Sequence, residues 1–187
     1  FKENYTVNVP ENFNFGFDVV DAWAEYDEKK VALVWCNDHG EERIFTFSDV
    51  KRFSNKIANY FKSIGIKKGD RVLLILRRRY EYWMCAVALH KIGAILIPAS
   101  LQLTKKDIAY RCNKAGVSAI VVVDDDYVVS QVEIAEPECE TLKHKILVGK
   151  KRAGWVNFDE AIEPMSDVFN RPTGEDATHN DEIFLTY

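Results

Sequence analysis

The sequence has no surplus of positive charge: lysine and arginine total 25 against 29 aspartates and glutamates, a net charge of -4. Nothing here draws a long polyanion, so no nucleic-acid partner is expected. Long hydrophobic runs are also missing. Runs such as residues 72–76, 119–123 and 83–89 fall far short of the roughly 20 apolar residues that cross a bilayer, so no membrane span is expected and the chain reads as soluble. Residues 1–10 have neither the basic stretch nor the apolar run of a secretory signal.

Cysteine is scarce. Cys36, Cys85, Cys112 and Cys139 stand far apart, with no C-x-x-C pair and no histidine at ligand spacing, which excludes a structural zinc site and leaves no metal ligand to assign. Cys85 and Cys112 lie in apolar and helical surroundings and read as small buried hydrophobes, as suits a reducing, cytoplasmic compartment. The sequon Asn4-Tyr5-Thr6 is read as a chance match. No repeat, low-complexity tract or heptad pattern supports a solenoid or filament. What is present is 187 residues, 47% of them hydrophobic, enough for one substantial domain with its own core.

The first part predicts a helix around residues 18–26, a strand over 31–37, a polar turn at Asp38-His39-Gly40-Glu41 and a return strand over 43–47, together a β-hairpin. Thr46 with Asp49 three residues later starts an amphipathic helix that Gly65 stops. From Gly69 short apolar strands alternate with helices: strand 71–76, helix 80–92 ended by Gly93, and strand 94–98. Next come helix 105–115 capped by Thr104 and Asp107, strand 118–123, helix 126–135 and strand 145–149. The fold class is therefore α/β, a helix-covered, mostly parallel sheet with an amino-terminal β-hairpin. Strands apolar at successive positions are central ones, covered on both faces. A short helix is expected over 157–162, an exposed loop over 170–181 and a last strand over 182–187.

Signals for chemistry are sparse. Gly149-Lys150-Lys151-Arg152-Ala153-Gly154 lacks the Lys-Ser/Thr pair of a P-loop, being followed by Trp155 and Val156, and reads as a basic surface turn. No G-x-G-x-x-G follows a strand. None of His39, His90, His144 and His179 stands in a nucleophile motif, and His90 reads as a packed or solvated helix residue. Asp124-Asp125-Asp126 is read as a turn and helix cap rather than a magnesium site. Arg77-Arg78-Arg79 falls at the carboxyl edge of a central strand, where open α/β sheets bind ligands. Three cations before a helix ask for an anion or for free solvation, and solvation is the plainer reading.

The segments Gly69-Asp70-Arg71-Val72, Glu81-Tyr82-Trp83, Lys91-Ile92-Gly93-Ala94, Pro98 and Leu103-Thr104-Lys105-Lys106-Asp107-Ile108-Ala109-Tyr110-Arg111 fall in a recognisable order. Together they resemble the amino-terminal part of the AMP-dependent synthetase and ligase (adenylate-forming) superfamily. Pro10-Glu11-Asn12-Phe13-Asn14-Phe15 and Gly154-Trp155-Val156-Asn157-Phe158 make the resemblance greatest to medium-chain acyl-CoA synthetases, within the acetyl-CoA synthetase-like enzymes.

The resemblance implies a partial amino-terminal domain of an acyl-CoA synthetase-like fold, with residues 1–68 as hairpin and helix and 69–187 as the βαβ-type sheet. It implies a parent reaction in which a carboxylic acid and ATP, with Mg2+, give acyl-AMP and pyrophosphate, after which CoA displaces AMP. Residues 182–187 match the strand leading into the family's phosphate-binding loop, approximately T-S-G-T-T-G-x-P-K, so the chain is expected to stop just short of it. No catalytic residue is expected within these residues, nor full binding of ATP, Mg2+ or CoA. Gln102 matches a glutamine that contacts CoA in medium-chain members, with a polar loop or capping residue as the plain alternative, and Arg78 matches a basic residue that would meet phosphate or CoA. Arg77 and Tyr80 replace prolines often found beside it, which puts that loop's conformation in question. The other functional reading is a non-catalytic α/β binding module on the same scaffold. An apolar edge near Ile183–Leu185 is expected to drive self-association.

Overall fold

The computed structural model describes residues 8–178. A π-helical turn, Gly16–Asp21, runs directly into helix α1, Ala22–Tyr26. The hairpin follows as β1, Val31–Cys36, and β2, Glu42–Thr46, paired antiparallel with Val34 opposite Ile44. Phe47 opens helix α2, Phe47–Ser63, rather than closing the hairpin. The capping box of Thr46 and Asp49 begins the helix there.

Strand β3, Arg71–Ile75, leads into α3, Glu81–Ile92, and then β4, Ile95–Pro98. Helix α4, Lys105–Ala115, strand β5, Val117–Val123, and helix α5, Asp126–Ala135, come next. Strand β6, His144–Val148, is joined by a two-residue strand the sequence pattern did not foretell, β7, Val156–Asn157, followed by α6, Phe158–Ile162. The five strands lie in the order β4-β3-β5-β6-β7, and every pair is parallel.

Alternation along the strands divides the core in two. Val72, Leu74, Leu96, Val121 and Ile146 face α2, α3, α6 and the hairpin. Leu73, Ile75, Ile97, Ile120 and Leu147 face α4 and α5. Because helices cover both faces, apolar residues occupy successive positions, and Val72–Leu74 are wholly buried. The hairpin joins the first of these cores through Trp35 and Phe45, which pack against Tyr80 with ring centroids 5.3 and 5.0 Å away.

Residues 170–177 form the largely exposed loop expected of them, and the last described residue turns inward. Thr178 is buried, with its hydroxyl donating to the Lys91 carbonyl at 3.0 Å and accepting from Asn14 Nδ2 at 3.0 Å. These bonds bury one polar residue at the end of that loop. Gly93 makes the approach possible: it caps α3 at φ 70°, and a Cβ there would stand 2.8 Å from Thr178 Cγ2. The expected strand over 182–187, with its apolar edge, lies outside the described residues.

Lys91 is the centre of this polar knot. Its ammonium is fully buried and donates to Asp21 Oδ1 at 2.7 Å and to Asn55 Oδ1 at 2.6 Å, with the Phe17 ring 5.6 Å away. Burial pushes the Asp21 carboxyl up and the Lys91 ammonium down, and each charge opposes the shift in the other. Next to it, His90 is buried edge-on to Phe15, and burial takes its imidazole from the ordinary 6.5 down to about 4.

Lys91→Ala is expected to lose about 3–5 kcal/mol in urea unfolding, because it leaves Asp21 charged and buried alone. The double variant Lys91→Met with Asp21→Leu should recover most of that loss, and a double as unstable as the single would refute the account. For His90, the unfolded chain binds its proton more readily than the folded one between pH 6.5 and about 4. The stability from neutral His90 is therefore complete above pH 6.5 and is lost, by about 3 kcal/mol in all, as pH falls through that window. Melting curves against pH should show this slope, and His90→Gln should flatten it.

Candidate functional site

Three loops meet at the carboxyl edge of the sheet. One follows β3 and carries Arg77–Arg79, one follows β4 and carries Ala99–Gln102, and one follows β5 and carries Asp124 and Asp125. The order β4-β3-β5 reverses direction at β3: the chain leaves β3 toward β4 through α3 on one face, then returns to β5 through α4 on the other. Such a switch point opens a crevice between diverging loops, where open α/β sheets take their ligands.

A cleft of about 240 Å³ lies there, between the Arg77–Arg79 loop, Asp124 and the hairpin residues Trp35 and Asn37. It continues into a second hollow of about 480 Å³ walled by Arg77, Arg78, Ala99, Ser100, Leu101 and Gln102. Arg78 and Gln102, the two residues singled out from the sequence, thus line one hollow. Gln102 is exposed, and its backbone N–H donates to Ser100 Oγ at 3.2 Å. It takes no part in capping α4. That cap is made by Thr104 with Asp107, while Gln131 accepts from Lys105 N at 2.9 Å.

The three arginines differ sharply. Arg79 is half-buried rather than solvated: its guanidinium donates to both oxygens of the buried Glu81 carboxylate and lies over the Trp35 and Tyr80 rings at 5.9 and 5.5 Å. Glu81 in the first turn of α3 offsets a cation that the helix N-terminus would otherwise repel. Arg77 and Arg78 are exposed and make no ion pair among the described residues. Arg77 has φ 48°, the one positive value at a non-glycine position among them.

The acidic loop behaves as a cap. Asp125 Oδ1 accepts from Tyr127 N at 3.1 Å and Val128 N at 3.2 Å, starting α5, and Asp124 accepts from Lys150 N at 3.2 Å. Among the described residues no three or more of His, Cys, Asp and Glu gather where a metal ion could sit. The turn from Gly149 to Gly154 is tied down elsewhere, with Arg152 held by two bonds to Glu133 at 2.7 and 2.9 Å.

Local patterns missed Trp35, Asn37 and Ser100. Trp35 reaches the site from the hairpin, donating from Nε1 to the Arg78 carbonyl at 2.6 Å. An indole on a strand carries a weak signal of this kind, since its N–H needs an acceptor when buried. Cys36 lines the same cleft and is exposed, whereas Cys85, Cys112 and Cys139 are buried. Burial holds the Cys85 and Cys112 thiols well above the ordinary range.

The family model for AMP-binding enzyme matches residues 20–187. Acyl-coenzyme A synthetase ACSM3, mitochondrial, of Homo sapiens is 35% identical over 173 residues, covering 89% of this chain and 29% of that protein. Acyl-coenzyme A synthetase ACSM5, mitochondrial, of Mus musculus is 36% identical over 169 residues, covering 87% of this chain and 29% of that protein. Among solved structures, the anthranilate CoA ligase AuaEII in complex with anthranoyl-AMP superposes with a TM-score of 0.82 at 20% identity, over 94% of this chain and 32% of that one. Brucella canis acyl-CoA synthetase gives a TM-score of 0.79 at 20% identity, over 97% and 32% of the two chains. The chain therefore spans a little under a third of the length of these relatives. No helix among the described residues is long and apolar enough to cross a membrane.

Ellman's reagent should titrate one thiol of the native chain rapidly and all four after denaturation. Cys36→Ser should abolish the fast phase, and a fast second thiol in that variant would contradict the burial of the other three.

Proposed function

The chain belongs to the AMP-binding enzyme family, and from that premise we propose that it is the amino-terminal part of an ATP-dependent acyl-CoA synthetase. In the full-length protein a carboxylic acid attacks the α-phosphorus of ATP, releasing pyrophosphate and leaving acyl-AMP. The CoA thiol then displaces AMP. Residues 1–68 supply the hairpin and helix, and residues 69–187 the sheet-bearing part, of one large adenylate-forming domain. A reducing compartment suits the three buried free thiols. We place the protein in the cytoplasm, with the mitochondrion named for its relatives as the other address.

The observation that carries this reading is the hollow at the switch point, where Arg78 and Gln102 come together from two different loops. Gln102 presents an uncommitted amide and Arg78 an uncommitted cation, the pair suited to a substrate with amide and phosphate groups such as CoA. The sequence has no glycine-rich loop of backbone N–H donors to hold the ATP phosphates. We therefore assign no catalytic residue and no magnesium-dependent step to this chain. Its part is to build one wall of the site and keep it rigid.

Carboxylate-dependent ATP–pyrophosphate exchange tests the assignment. The 187-residue chain should show none above a blank, and a chain extended to the length of its relatives should show it with a suitable carboxylic acid. An extended chain without exchange would leave the non-catalytic binding module as the function. Exchange by the short chain would overturn the placing of the chemistry outside it.

A further inference from the structure

We propose that Cys112 and Cys139 are a reversible thiol–disulfide site, closed by a peroxide and reopened by a dithiol reductant. Cys112 stands in the last turn of α4, and Cys139 follows the short 3-10 turn, Glu136–Glu138, that ends α5. Both are buried in the core on the α4 and α5 face of the sheet. Asn113 fixes them side by side. Its Nδ2 donates to the Glu138 carbonyl at 2.7 Å and its Oδ1 accepts from Glu140 N at 3.0 Å, so one amide next to Cys112 holds the backbone on both sides of Cys139. Thr141 Oγ1 donates to the Val117 carbonyl at 2.9 Å and secures the same segment to the start of β5. Between the two sulfurs the Cys112 S–H is donor and Cys139 acceptor, which holds Cys112 further up and draws Cys139 back against the upward push of burial.

The two thiols are unequal, and that sets their order. Cys139 is 7% exposed and Cys112 not at all, so a small oxidant meets Cys139 first. The Cys139 thiol donates to the Ala135 carbonyl at 3.3 Å, and the carboxylates beside it, Glu136 and Glu138, are paired with Lys145 and Lys105. As thiolate, the Cys139 sulfur attacks one oxygen of hydrogen peroxide. The O–O bond breaks, hydroxide takes up the thiol proton and leaves as water, and Cys139 becomes a sulfenic acid. The Cys112 sulfur then attacks the Cys139 sulfur, the S–O bond breaks, and hydroxide leaves with the Cys112 proton as a second water. Two thiols and one peroxide become one disulfide and two waters, the sulfurs oxidised and the peroxide reduced. Burial keeps the thiolate scarce, so the first step is slow and the pair stays reduced until peroxide persists. The bond ties together the two helices that cover this face, and it does not depend on the ligase reading.

Peptide mapping of the folded Cys36→Ser chain after hydrogen peroxide tests the site, with remaining thiols alkylated in denaturant. The substitution removes the one exposed thiol. Trypsin separates the pair into residues 112–114 and 115–143. Those two peptides should be found joined, Cys85 should be fully alkylated, and dithiothreitol should restore both thiols. Cys112→Ala should halt Cys139 at a sulfenic acid that dimedone captures, and Cys139→Ala should leave Cys112 unoxidised. The urea midpoint of the oxidised chain should rise, because the bond closes a loop in the unfolded state. The site is overturned if both thiols stay alkylatable at a peroxide dose that oxidises Cys36 in the unsubstituted chain. It is equally overturned if the two peptides join as selectively in urea as in the folded chain, or if closing the bond lowers the urea midpoint.

Discussion

Leu73 and Leu74 leave β3 in opposite directions and neither reaches water. That condition governs the rest of the molecule. A strand with apolar residues at successive positions must be covered on both faces, and each fully buried leucine or isoleucine favours coverage by roughly 1.5–3 kcal/mol. The chain meets the condition by sending α3 to one face and α4 and α5 to the other. A chain that changes faces next to β3 must also part its loops there, so the cleft at the carboxyl edge is a consequence of covering the sheet. The apolar pattern and the site have one physical cause.

Coverage of the first face is completed by segments far apart in the sequence, and polar groups determine how they fit. Lys91 reaches from α3 to Asp21 of the amino-terminal turn and to Asn55 of α2, while its carbonyl takes the hydroxyl of Thr178. Gly16 has to be glycine for this, since a Cβ would stand 2.7 Å from Lys91 Cγ. A buried ammonium is a poor source of net stability compared with an apolar side chain of the same size. It does impose direction: an alternative seating of the amino-terminal segment would leave a charge unpaired inside the protein. The knot selects one arrangement of the cover.

Features decided by neighbours in sequence were legible from sequence. The capping boxes of Thr46 with Asp49 and Thr104 with Asp107 are side chains bonding the backbone three residues away, and both helices start where those pairs stand. Helices α4 and α5 were read to the residue for the same reason. What escaped was decided across long distances. Thr178 ends a loop that is otherwise as exposed as its composition suggests, and only contact with Lys91 and Asn14 buries it. Strand β7 has two residues and no pattern of its own; it exists because β6 offers it an edge. In the site, Arg78 and Gln102 were named one at a time, from resemblance. Their shared hollow depends on β3 and β4 being neighbours in the sheet. The departure from proline at position 77 was visible too, and its consequence was not, because φ 48° is open to arginine and closed to proline.

The arginine loop separates structural charge from available charge. Cations before α3 face the positive end of its dipole, an unfavourable placement of about 0.3–1 kcal/mol each where exposed. Glu81 cancels this for Arg79 and, through the Trp35 and Tyr80 rings, draws that side chain inward. Arg77 and Arg78 receive no such compensation among the described residues. Had charge at this edge been needed only for solubility, a relaxed backbone would have served and the residues could have turned to water. Instead Arg77 is kept in a strained conformation by a strand, an indole and an ion pair, none of which touches its side chain. Such a conformation persists only because the surrounding structure over-determines it, and here the strand, the indole and the ion pair do so.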